Sequence, residues 1–600
     1  MSYSAPTREI AFALEHIAGL KKRTTEGIFG DIGDDAFVSI LDEAAKFSSG
    51  VLAPLNWPGD QIGARFIEGV VQMPPGFADA YRSWSKAGWN GVDLPPEWGG
   101  MGLPTMLAVA TMEMWTSACM SFALGPVLAQ AAVDTLMLHA SAELKAAYLS
   151  RLVSGEWTAT MNLTEPQAGS DLNALRTRAE RISDGTYRIF GQKIFISYGE
   201  HDLTDNIVHL VLARLPEAAP GTKGISLFLV PKFLIAADGS LGDRNDVRCT
   251  GIEHKMGIHA SPTCTMMFGD EGGAIGWLVG EENRGLACMF TMMNRARLST
   301  GLQGVAIAER AYQQALAYAK TRRQGRAIGQ HEHATAMSII IEHPDVRRNL
   351  MTMKALIAAG RAIAYSAAQA IDDARVGATA DIRVRANELA GLLTPITKAM
   401  CSEIGVEVAS LGLQIHGGMG YIEETGAAQH FRDSRITPIY EGTNGIQAID
   451  LVTRKVLREG SFAATETINK FREIGLSAAV VAEANFGKLG TIVTEAVAEL
   501  EHATCWLKDK GRRPDELLSV ATPYLRLFGI TAGAAYLAKG ALAAQQQLAA
   551  GNNDAVYRDA IAIARFYAEN IAVFAASIGR VVIDSAEGLS GRARLSDFTE

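Results

Sequence analysis

The sequence predicts a mostly helical protein of the α+β class, in which a central β-domain separates two helical regions and a further helical domain is appended. Before Trp157, apolar residues recur at three- and four-residue spacing, which indicates helices. Short segments rich in β-branched and aromatic residues follow, and helical spacing then returns. We therefore expect an N-terminal helical domain at 1–157, a β-barrel or sandwich at 158–280, a helical bundle at 281–457 and an appended helical domain at 458–600.

The N-terminal region is predicted to be helical with one long interruption. Ile10, Leu14 and Ile17 begin a helical apolar pattern. Residues 91–104, GVDLPPEWGGMGLP, are rich in Gly and Pro, which interrupt helices and favour loops. We expect this loop to connect two helices, with Trp98 as its anchor.

The β-domain is predicted from short segments that are bounded by Gly, Pro or Asp. Several short strands at this spacing are typical of a barrel or a sandwich. The predicted strands are 158–163, 187–197, 206–214, 224–231 and 274–279.

Long helices are predicted in the C-terminal half, at 287–321, at about 334–375 and at 382–413. Residues 458–600 are again helical in pattern and carry 15 Lys and Arg against 17 Asp and Glu. The Ala- and Gly-rich segment 529–551 favours tight packing on neighbouring helices. The appended domain is therefore predicted to be helical, with no basic excess.

Composition and charge narrow the class of protein. A net charge of −9 argues against a general nucleic-acid surface. The first twenty residues carry Glu9 and Glu15, so no signal peptide is indicated, and charges interrupt the apolar runs, so we expect no membrane span. The six cysteines form no CxxC pair, and we expect neither a metal site nor a disulfide framework. A cytoplasmic location is expected.

Glu441 is the candidate residue around which the chemistry is organised. It lies between Tyr440 and Gly442, after an apolar lead-in and ahead of a resumed helical pattern. A carboxylate in a turn at a pocket wall is partly desolvated, which raises its pKa and makes it a usable proton acceptor. The alternative is a Glu that only precedes a helix capped by Thr443 or Asn444.

A second candidate region follows the first predicted strand. In the run MNLTEPQAGSD (161–171), the hydroxyl groups of Thr164 and Ser170 follow one rim, which suits the polar edge of a ring or an amide. The alternative is an ordinary loop with a Ser-Asp turn. In the next predicted strand, Phe195 offers an aromatic wall and Ser197 a hydroxyl.

Five motifs occur in the order in which they are found in acyl-CoA dehydrogenases, and the chain resembles that family over about residues 70–455. The predicted order of helical, β and helical domains agrees with the family's architecture. The motifs are TEPQAGSD (164–171), GQKIFIS (191–197), GEENRGL (280–286), QIHGGMGY (414–421) and IYEGTNGIQ (439–447).

The resemblance implies a flavoprotein that uses FAD to remove two hydrogens from the α and β carbons of an acyl-CoA thioester. Glu441 matches the base that abstracts the α proton. The thioester oxygen would be held by the backbone N–H of Glu441 and a flavin ribityl hydroxyl, because developing charge on that oxygen must be stabilised and water excluded. Tyr440 would lie against the acyl group or the flavin.

The resemblance also implies the contacts of other residues. Ser170 would touch the flavin phosphate or the pantetheine arm of the substrate. Arg297 and Asn294 would lie near the CoA portion. The residues implied to bind the cofactor are Met161, Leu163, Thr164, Ser170, Phe195, Ile196, Ser197, Gln414, Gly417, Gly418, Thr443 and Asn444.

Arg322 resembles an arginine that reaches the flavin diphosphate of a neighbouring subunit, which implies a homo-oligomer. Arg323 stands beside it, so either arginine can make this contact, and a solvated charge at a helix end is the alternative. We expect a dimer rather than a tetramer, because the appended domain would cover the side on which shorter relatives pair.

The long N-terminal segment, the appended domain and the run TRRQGRA (321–327) resemble the 3-methylmercaptopropionyl-CoA dehydrogenase group. That resemblance implies oxidation of 3-methylmercaptopropionyl-CoA to methylthioacryloyl-CoA during dimethylsulfoniopropionate breakdown, with electron-transfer flavoprotein as electron acceptor. The alternatives are a medium- or long-chain fatty acyl-CoA dehydrogenase, an acyl-CoA oxidase, and a DNA-associated flavoprotein without dehydrogenase activity. The charge balance of residues 458–600 argues against the last of these.

Overall fold

The computed structural model describes residues 3–27, 29, 33–328, 336–481 and 484–586. Helices precede and follow a β-domain, in the order that the sequence predicts. The N-terminal helices are α1 Thr7–Phe12, α2 Leu20–Thr25, α3 Asp34–Phe47, α4 Ala53–Ile62, α5 Phe77–Lys86, α6 Thr105–Ala118, α7 Met120–His139 and α8 Ala142–Ser154.

Two of these helices, α6 and α7, form the core of the N-terminal region and are buried along almost their whole length. The predicted loop at 91–104 is confirmed; a short 3₁₀ turn, Trp89–Gly91, leads into it, and it contains a second one, Pro96–Trp98. Trp98 packs partly buried on the core between α7, α8 and the β-domain. The loop is thus anchored as the sequence suggests.

The helical prediction for 1–157 misses a small hairpin. Its strands are β1 Arg65–Ile67 and β2 Val70–Gln72, which pair in antiparallel register. Glu68 and Gly69 join them with φ of 50° and 87°. Two consecutive positive φ values produce a tight two-residue turn, a local feature that helical periodicity does not reveal.

The β-domain is a sheet that closes into a barrel. Its strands are ordered β10-β11-β5-β12-β7-β6-β3, and β4 pairs with both β5 and β6. That double pairing joins β5, β12, β7, β6 and β4 into a ring. The strands are β3 Thr158–Asn162, β4 Arg178–Arg181, β5 Tyr187–Ser197, β6 Ile207–Arg214, β7 Ile225–Pro231, β8 Phe233–Ile235, β9 Leu241–Arg244, β10 Val247–Ile252, β11 Thr263–Phe268 and β12 Ala274–Leu278.

All five predicted strands are present, with ends that differ by at most one residue. The sequence analysis missed β4, β8, β9, β10 and β11. In β10 and β11 the paired segments VRCTGI and TCTMMF contain Cys, Met and Gly, which weaken the strand signal. A bulge interrupts their register between Cys249 and Gly251, which further breaks the alternating pattern.

The C-terminal bundle is built on three long helices. α9 Gly285–Thr321 and α11 Ala380–His416 each have 37 residues, and α10 Pro344–Val376 has 33. At 1.5 Å per residue, α9 and α11 are each about 55 Å long. Two short helices complete this region, α12 Ala427–Ser434 and α13 Asn444–Asp450.

Glycines allow α9 and α11 to approach each other closely. A Cβ atom on Gly304 would lie 2.0 Å from the carbonyl oxygen of Cys401, and one on Gly301 would lie 2.6 Å from that of Thr397. From the other helix, Gly405 faces the Cα atom of Gly304. The backbones of the two helices are therefore in direct contact at this crossing.

The appended region is helical, as predicted, and packs on the bundle through α17. Gly529 of α17 lies against Met400 of α11, and Gly533 lies against Ala359 of α10. The Ala- and Gly-rich segment thus packs tightly on neighbouring helices, as its composition suggests. The helices are α14 Ala463–Ala479, α15 Leu489–Leu507, α16 Pro514–Ser519, α17 Ala521–Ala549, α18 Ala555–Asn570 and α19 Ala575–Asp584.

Among the described residues, three helical segments are long and apolar enough by length and composition to cross a membrane. The first two, Met120–His139 and Ala521–Ala549, are 83% buried inside the protein, so core packing accounts for their apolarity. The third, Ala555–Asp584, is 33% buried. The sequence analysis did not anticipate segments of this composition.

We predict that Gly304→Ala will lower the melting temperature, because its Cβ would meet a backbone carbonyl that cannot move without separating α9 from α11. Overpacking of this kind costs about 1–3 kcal/mol. Thermal melting followed by circular dichroism measures the effect. The matched control is Gly412→Ala on α11, which also faces α9 but where the nearest atom to the new Cβ lies 3.6 Å away. Equal melting temperatures for the two variants would contradict the prediction.

Candidate active site

Glu441 lies in a tight turn that ends at the N-terminus of α13. Its φ is 59°, an unfavourable value for a residue with a side chain. Asn444 donates its backbone N–H to the carbonyl of Pro438 and closes the turn. Thr443 caps α13, because its hydroxyl accepts the backbone N–H of Ile446 at 3.3 Å. The helix cap is therefore present, and it leaves Glu441 outside the helix with its own backbone geometry.

Side chains from two helices hold the backbone carbonyl of Glu441. Gln447 donates to this oxygen at 3.2 Å, and Arg297 of α9 donates through Nε at 3.4 Å. Tyr440 donates its hydroxyl to Gln303 of α9. These contacts fix the residues on both sides of the Glu441 side chain to the bundle.

The carboxylate of Glu441 is buried and incompletely bonded. Its Oε2 atom has no hydrogen-bond partner among the described residues. Burial raises the pKa of Glu441 to about 7, and the cationic groups of Arg297 and Lys398 partly oppose that rise. A carboxylate with a pKa near neutrality can accept a proton efficiently. Within the described chain, the backbone N–H of Glu441 also donates to no group, so it is free to bind an oxygen atom.

The side chain of Asn444 is bonded to α11. Its Oδ1 accepts from Lys398 Nζ at 2.9 Å, and its Nδ2 donates to Ser402 Oγ and Glu403 Oε1, both at 3.1 Å. Thr443 and Asn444 thus have structural roles at the start of α13. Their contacts with a cofactor, implied by the resemblance, stay a prediction.

Residues at the edge of the β-domain form a rim. Ile194 of β5 donates its backbone N–H to the carbonyl of Thr164, which places the TEPQAGSD loop beside this strand. Phe195 has a φ of 60°, and 58% of its surface is exposed. Ile196 is buried in the β-domain core, so any contact it makes with a ligand comes from its backbone. Met161, Leu163, Thr164 and Ser197 are half-buried, and Ser170 is exposed.

A buried ion pair holds this rim. Lys193 of β5 is fully buried and contacts Glu165 at 2.9 Å and the carbonyl of Leu163 at 3.0 Å. Glu165 also accepts from the backbone N–H groups of Arg176 and Thr177. The pair and these backbone hydrogen bonds therefore fix the position of the loop beside β5.

A third group of predicted residues lies where α9 and α11 end. Tyr318 of α9 stacks on His416 of α11 with ring centroids 4.6 Å apart. His416 also donates to the carbonyl of Gly412 at 2.7 Å, and burial lowers its pKa, so its role here is structural. Gln414, Gly417, Gly418 and Arg322 are exposed near this contact.

The two arginines at the end of α9 differ in their bonding. Arg323 donates to the carbonyl of Met337 at 3.0 Å. The guanidinium of Arg322 has no partner among the described residues and is exposed. Arg322 is therefore the arginine that is free to reach a diphosphate.

The residues implied to bind substrate are spread over α9 and the base turn. Asn294 is exposed on α9, whereas Arg297 is buried beneath the turn. Burial lowers the pKa of Arg297, and Asp450 and Glu441 offset part of this effect. Tyr440 is half-buried against the bundle core.

These features fit FAD. Phe195 is an exposed aromatic side chain on the same rim as Thr164 and Ser197, and such a combination suits a flat ring with polar edges. A Cβ atom on Gly417 or Gly418 would meet no atom within 4 Å. The chain's own packing therefore does not require glycine at 418, and the open surface suits the close approach of a diphosphate.

The sequence analysis missed three residues around Glu441: Gln303, Lys398 and Gln447. Gln447 closes the motif IYEGTNGIQ, so its place in that motif was a usable signal. Lys398 interrupts the apolar run LLTPITKAMC of α11, and a lone Lys in a buried helix is a signal of a buried charge.

Comparison with known proteins agrees with this fold. Family models match the acyl-CoA dehydrogenase N-terminal domain at residues 60–156, the middle domain at 160–270 and the C-terminal domain at 283–457. A further model, described as acetyl-CoA dehydrogenase C-terminal like, matches residues 465–590. The appended region is therefore a recognised domain type.

Two relatives match along nearly the whole chain. The 3-methylmercaptopropionyl-CoA dehydrogenase of Ruegeria pomeroyi is 44% identical over 98% of this chain and 99% of its own length. The broad-specificity linear acyl-CoA dehydrogenase FadE5 of Mycobacterium tuberculosis is 33% identical over 97% of both chains. Among solved structures, Caenorhabditis elegans ACDH-11 in complex with C11-CoA has a TM-score of 0.77 at 18% identity, over 97% of this chain and 95% of its own.

The fold defines a flavoprotein in which helical domains flank a β-barrel, with the candidate base Glu441 in a turn of the C-terminal bundle. The chain belongs to the acyl-CoA dehydrogenase family. It is thus an oxidoreductase that uses FAD to dehydrogenate an acyl-CoA thioester.

We predict that Arg322→Ala will weaken FAD binding about tenfold or more, because the variant would lose the charge-assisted contact to the diphosphate that the resemblance implies. The dissociation constant is measured by flavin fluorescence on the purified protein. Arg323→Ala is the matched control, since Arg323 is bonded to Met337 instead. An unchanged constant for Arg322→Ala, or an equal loss in both variants, would contradict the assignment.

We predict that Glu441→Gln will stabilise the protein at alkaline pH. The folded-state pKa of Glu441 lies above its unfolded value, so the wild type loses stability as pH rises from about 4.5 to 7 and the buried group becomes charged. A neutral Gln has no such loss. The melting-temperature difference between variant and wild type should grow between pH 5 and pH 8 and then level off. Glu424→Gln, at an exposed position, is the control and should show no such trend.

Proposed function

We propose that this chain converts 3-methylmercaptopropionyl-CoA to methylthioacryloyl-CoA, with Glu441 as the base that takes the α proton. The observation that carries the mechanism is the buried, unpartnered Oε2 atom of Glu441. The choice of substrate is supported by 44% identity, over almost the whole length of both chains, to the Ruegeria pomeroyi enzyme of that name.

Glu441 and the residues that hold its turn have different roles in the proposed reaction. Glu441 accepts the α proton and becomes neutral, which relieves the cost of its buried charge. Its backbone N–H donates to the thioester oxygen, on which negative charge develops as the proton leaves. Gln447 and Arg297 hold the carbonyl of Glu441 and so keep the N–H and the carboxylate in fixed positions. Bound FAD supplies the acceptor for the hydride from the β carbon.

The cofactor would be held at both ends by exposed or half-exposed groups. Met161, Leu163, Thr164, Phe195 and Ser197 would enclose the ring system at the β-domain rim. Arg322, Gln414, Gly417 and Gly418 would bind the diphosphate, with Arg322 reaching the flavin of a neighbouring subunit. The open space at Gly418 supports this placement.

A second candidate substrate is a straight-chain acyl-CoA. This alternative is favoured by the full-length match to FadE5, which is described as a broad-specificity linear acyl-CoA dehydrogenase. The base, the cofactor and the reaction are the same for both candidates, so only the acyl group distinguishes them.

We also propose that the protein is a cytoplasmic homo-oligomer, a dimer rather than a tetramer, that passes electrons to electron-transfer flavoprotein. The exposed apolar side chains at the end of α11 support self-association, since Tyr421 is 91% exposed and Met419 and Ile422 are exposed nearby. Light scattering measures the oligomeric state directly.

We predict that anaerobic flavin bleaching will be faster with 3-methylmercaptopropionyl-CoA than with pentanoyl-CoA. These thioesters have acyl chains with the same number of heavy atoms and differ only in sulfur or CH₂, so the comparison isolates recognition of sulfur. Stopped-flow absorbance measures the rate, and butanoyl- and dodecanoyl-CoA extend the panel to shorter and longer chains.

Glu441→Gln is the negative control, because its amide cannot accept the proton and we expect the reduction rate to fall at least a thousandfold, in the range of losses for an essential catalytic group. Faster bleaching by a straight-chain thioester would move the substrate to fatty acyl-CoA. Substantial bleaching of Glu441→Gln would instead overturn the base assignment.

A further inference from the structure

Lys398 is a buried cation that contacts the base turn. It lies in the middle of α11 and is 0% exposed. Its ammonium group donates to Oδ1 of Asn444 at 2.9 Å, the only hydrogen bond it makes within the described chain. An ammonium group carries three N–H donors, so two of them have no acceptor among the described residues. A buried cation in this state requires a source of electrostatic stabilisation.

That source is the base. Glu441 is the strongest electrostatic partner of Lys398, and Glu403 is a further acidic partner. Burial, opposed by these acids, lowers the pKa of Lys398 to about 7. The carboxylate of Glu441 in turn has an Oε2 atom without a hydrogen bond. The two buried charges therefore stabilise each other through space rather than through a direct hydrogen bond.

Charged groups on the neighbouring elements also act on Lys398 and Glu441. Arg297 of α9 has a larger cationic effect on Glu441 than Lys398 has. The strongest acidic partner of Arg297, however, is Asp450. Asp450 also pairs with Arg454 at 3.3 Å. Glu403 of α11 accepts from Asn444. Neither Arg297 nor Lys398 forms a salt bridge in the part of the chain the structure describes, but the strongest acidic partner of Arg297 is Asp450, whereas that of Lys398 is Glu441.

We propose that Lys398 is a positioning residue for the base: its ammonium group anchors the Glu441 turn through Asn444 and favours the ionised, proton-accepting form of Glu441. This inference rests on the proposed function, since it acts through Glu441. Removing the anchor disturbs the position of the turn, whereas removing the charge changes the ionisation of the base. Variants at Lys398 and Asn444 separate the two contributions.

The test measures flavin reduction by subsaturating acyl-CoA, with the thioester that the wild type oxidises fastest, from pH 5.5 to 9.5. This pH profile reports the ionisation of the free enzyme. Lys398→Met should move the midpoint about one unit to higher pH, since the loss of a neighbouring opposite charge raises a carboxyl pKa by about that amount. At pH 6 the rate should then fall about tenfold, while at pH 9 it should return toward the wild-type value.

Two further variants complete the design. Lys398→Arg keeps the charge and should retain the wild-type midpoint. Asn444→Ala removes the anchor and leaves the charge, so it should lower the rate at every pH without moving the midpoint. If Lys398→Met does not fold, Lys398→Gln removes the charge while keeping a donor for Asn444.

An unchanged midpoint in the charge-removing variant, with a uniform loss of rate, would overturn the inference and leave Lys398 a purely structural residue. A readout without substrate separates this inference from the proposed function. The melting-temperature difference between Glu441→Gln and its parent grows as pH rises. When both proteins also carry Lys398→Met, this growth should begin at a higher pH than it does without that substitution. If no thioester bleaches the wild type, the proposed function is wrong. If Lys398→Met does not shift the pH dependence of the melting-temperature difference, the proposed role of Lys398 is wrong.

Discussion

The contact between α9 and α11 is the constraint on which the active site depends. Gly301, Gly304 and Gly405 let the two backbones touch, and no other residue type permits this distance. The contact sets the spacing between Arg297 and Gln303 on one helix and Lys398 on the other. All three side chains hold or polarise the turn that carries Glu441. A wider separation would keep both helices but detach the turn from one of them.

The ionised form of Glu441 carries an electrostatic cost, and accepting a proton relieves it. A carboxylate with one buried and unpartnered oxygen is unfavourable at neutral pH. Arg297 and Lys398 reduce that cost without forming a salt bridge to the carboxylate, so a substantial fraction of Glu441 is ionised near pH 7 and still gains stability when it accepts a proton. A direct salt bridge would have lowered the pKa further and made the carboxylate a poor base. The backbone of Glu441 is also strained, because its φ is positive.

The sequence predicted the order of domains and the five main strands, because these depend on local periodicity and on contiguous segments. It could not choose between a helix cap and a base at 441–444; the structure shows Thr443 as the cap and Glu441 beside it with a raised pKa, so the base stays a prediction. Arg322 and Arg323 were equivalent in sequence, and only the bond from Arg323 to Met337 separates them. The partnership of Lys398 with Asn444 joins residues 46 positions apart, and such a contact is invisible to periodicity.

The appended domain completes the support of α11 from a second side. Met400 packs against Gly529 of α17, Cys401 faces Gly304 of α9, and Lys398 reaches Asn444 of the base turn. These residues lie within one turn of the same helix. This turn is therefore held between the bundle and the appended domain while its third side contacts the catalytic turn. A long side chain such as Lys398 loses considerable conformational entropy on burial, and a helix fixed on both sides leaves its charge at a constant distance from Glu441. The appended domain thus helps to hold the Lys398 charge in place relative to Glu441, in addition to stabilising the fold.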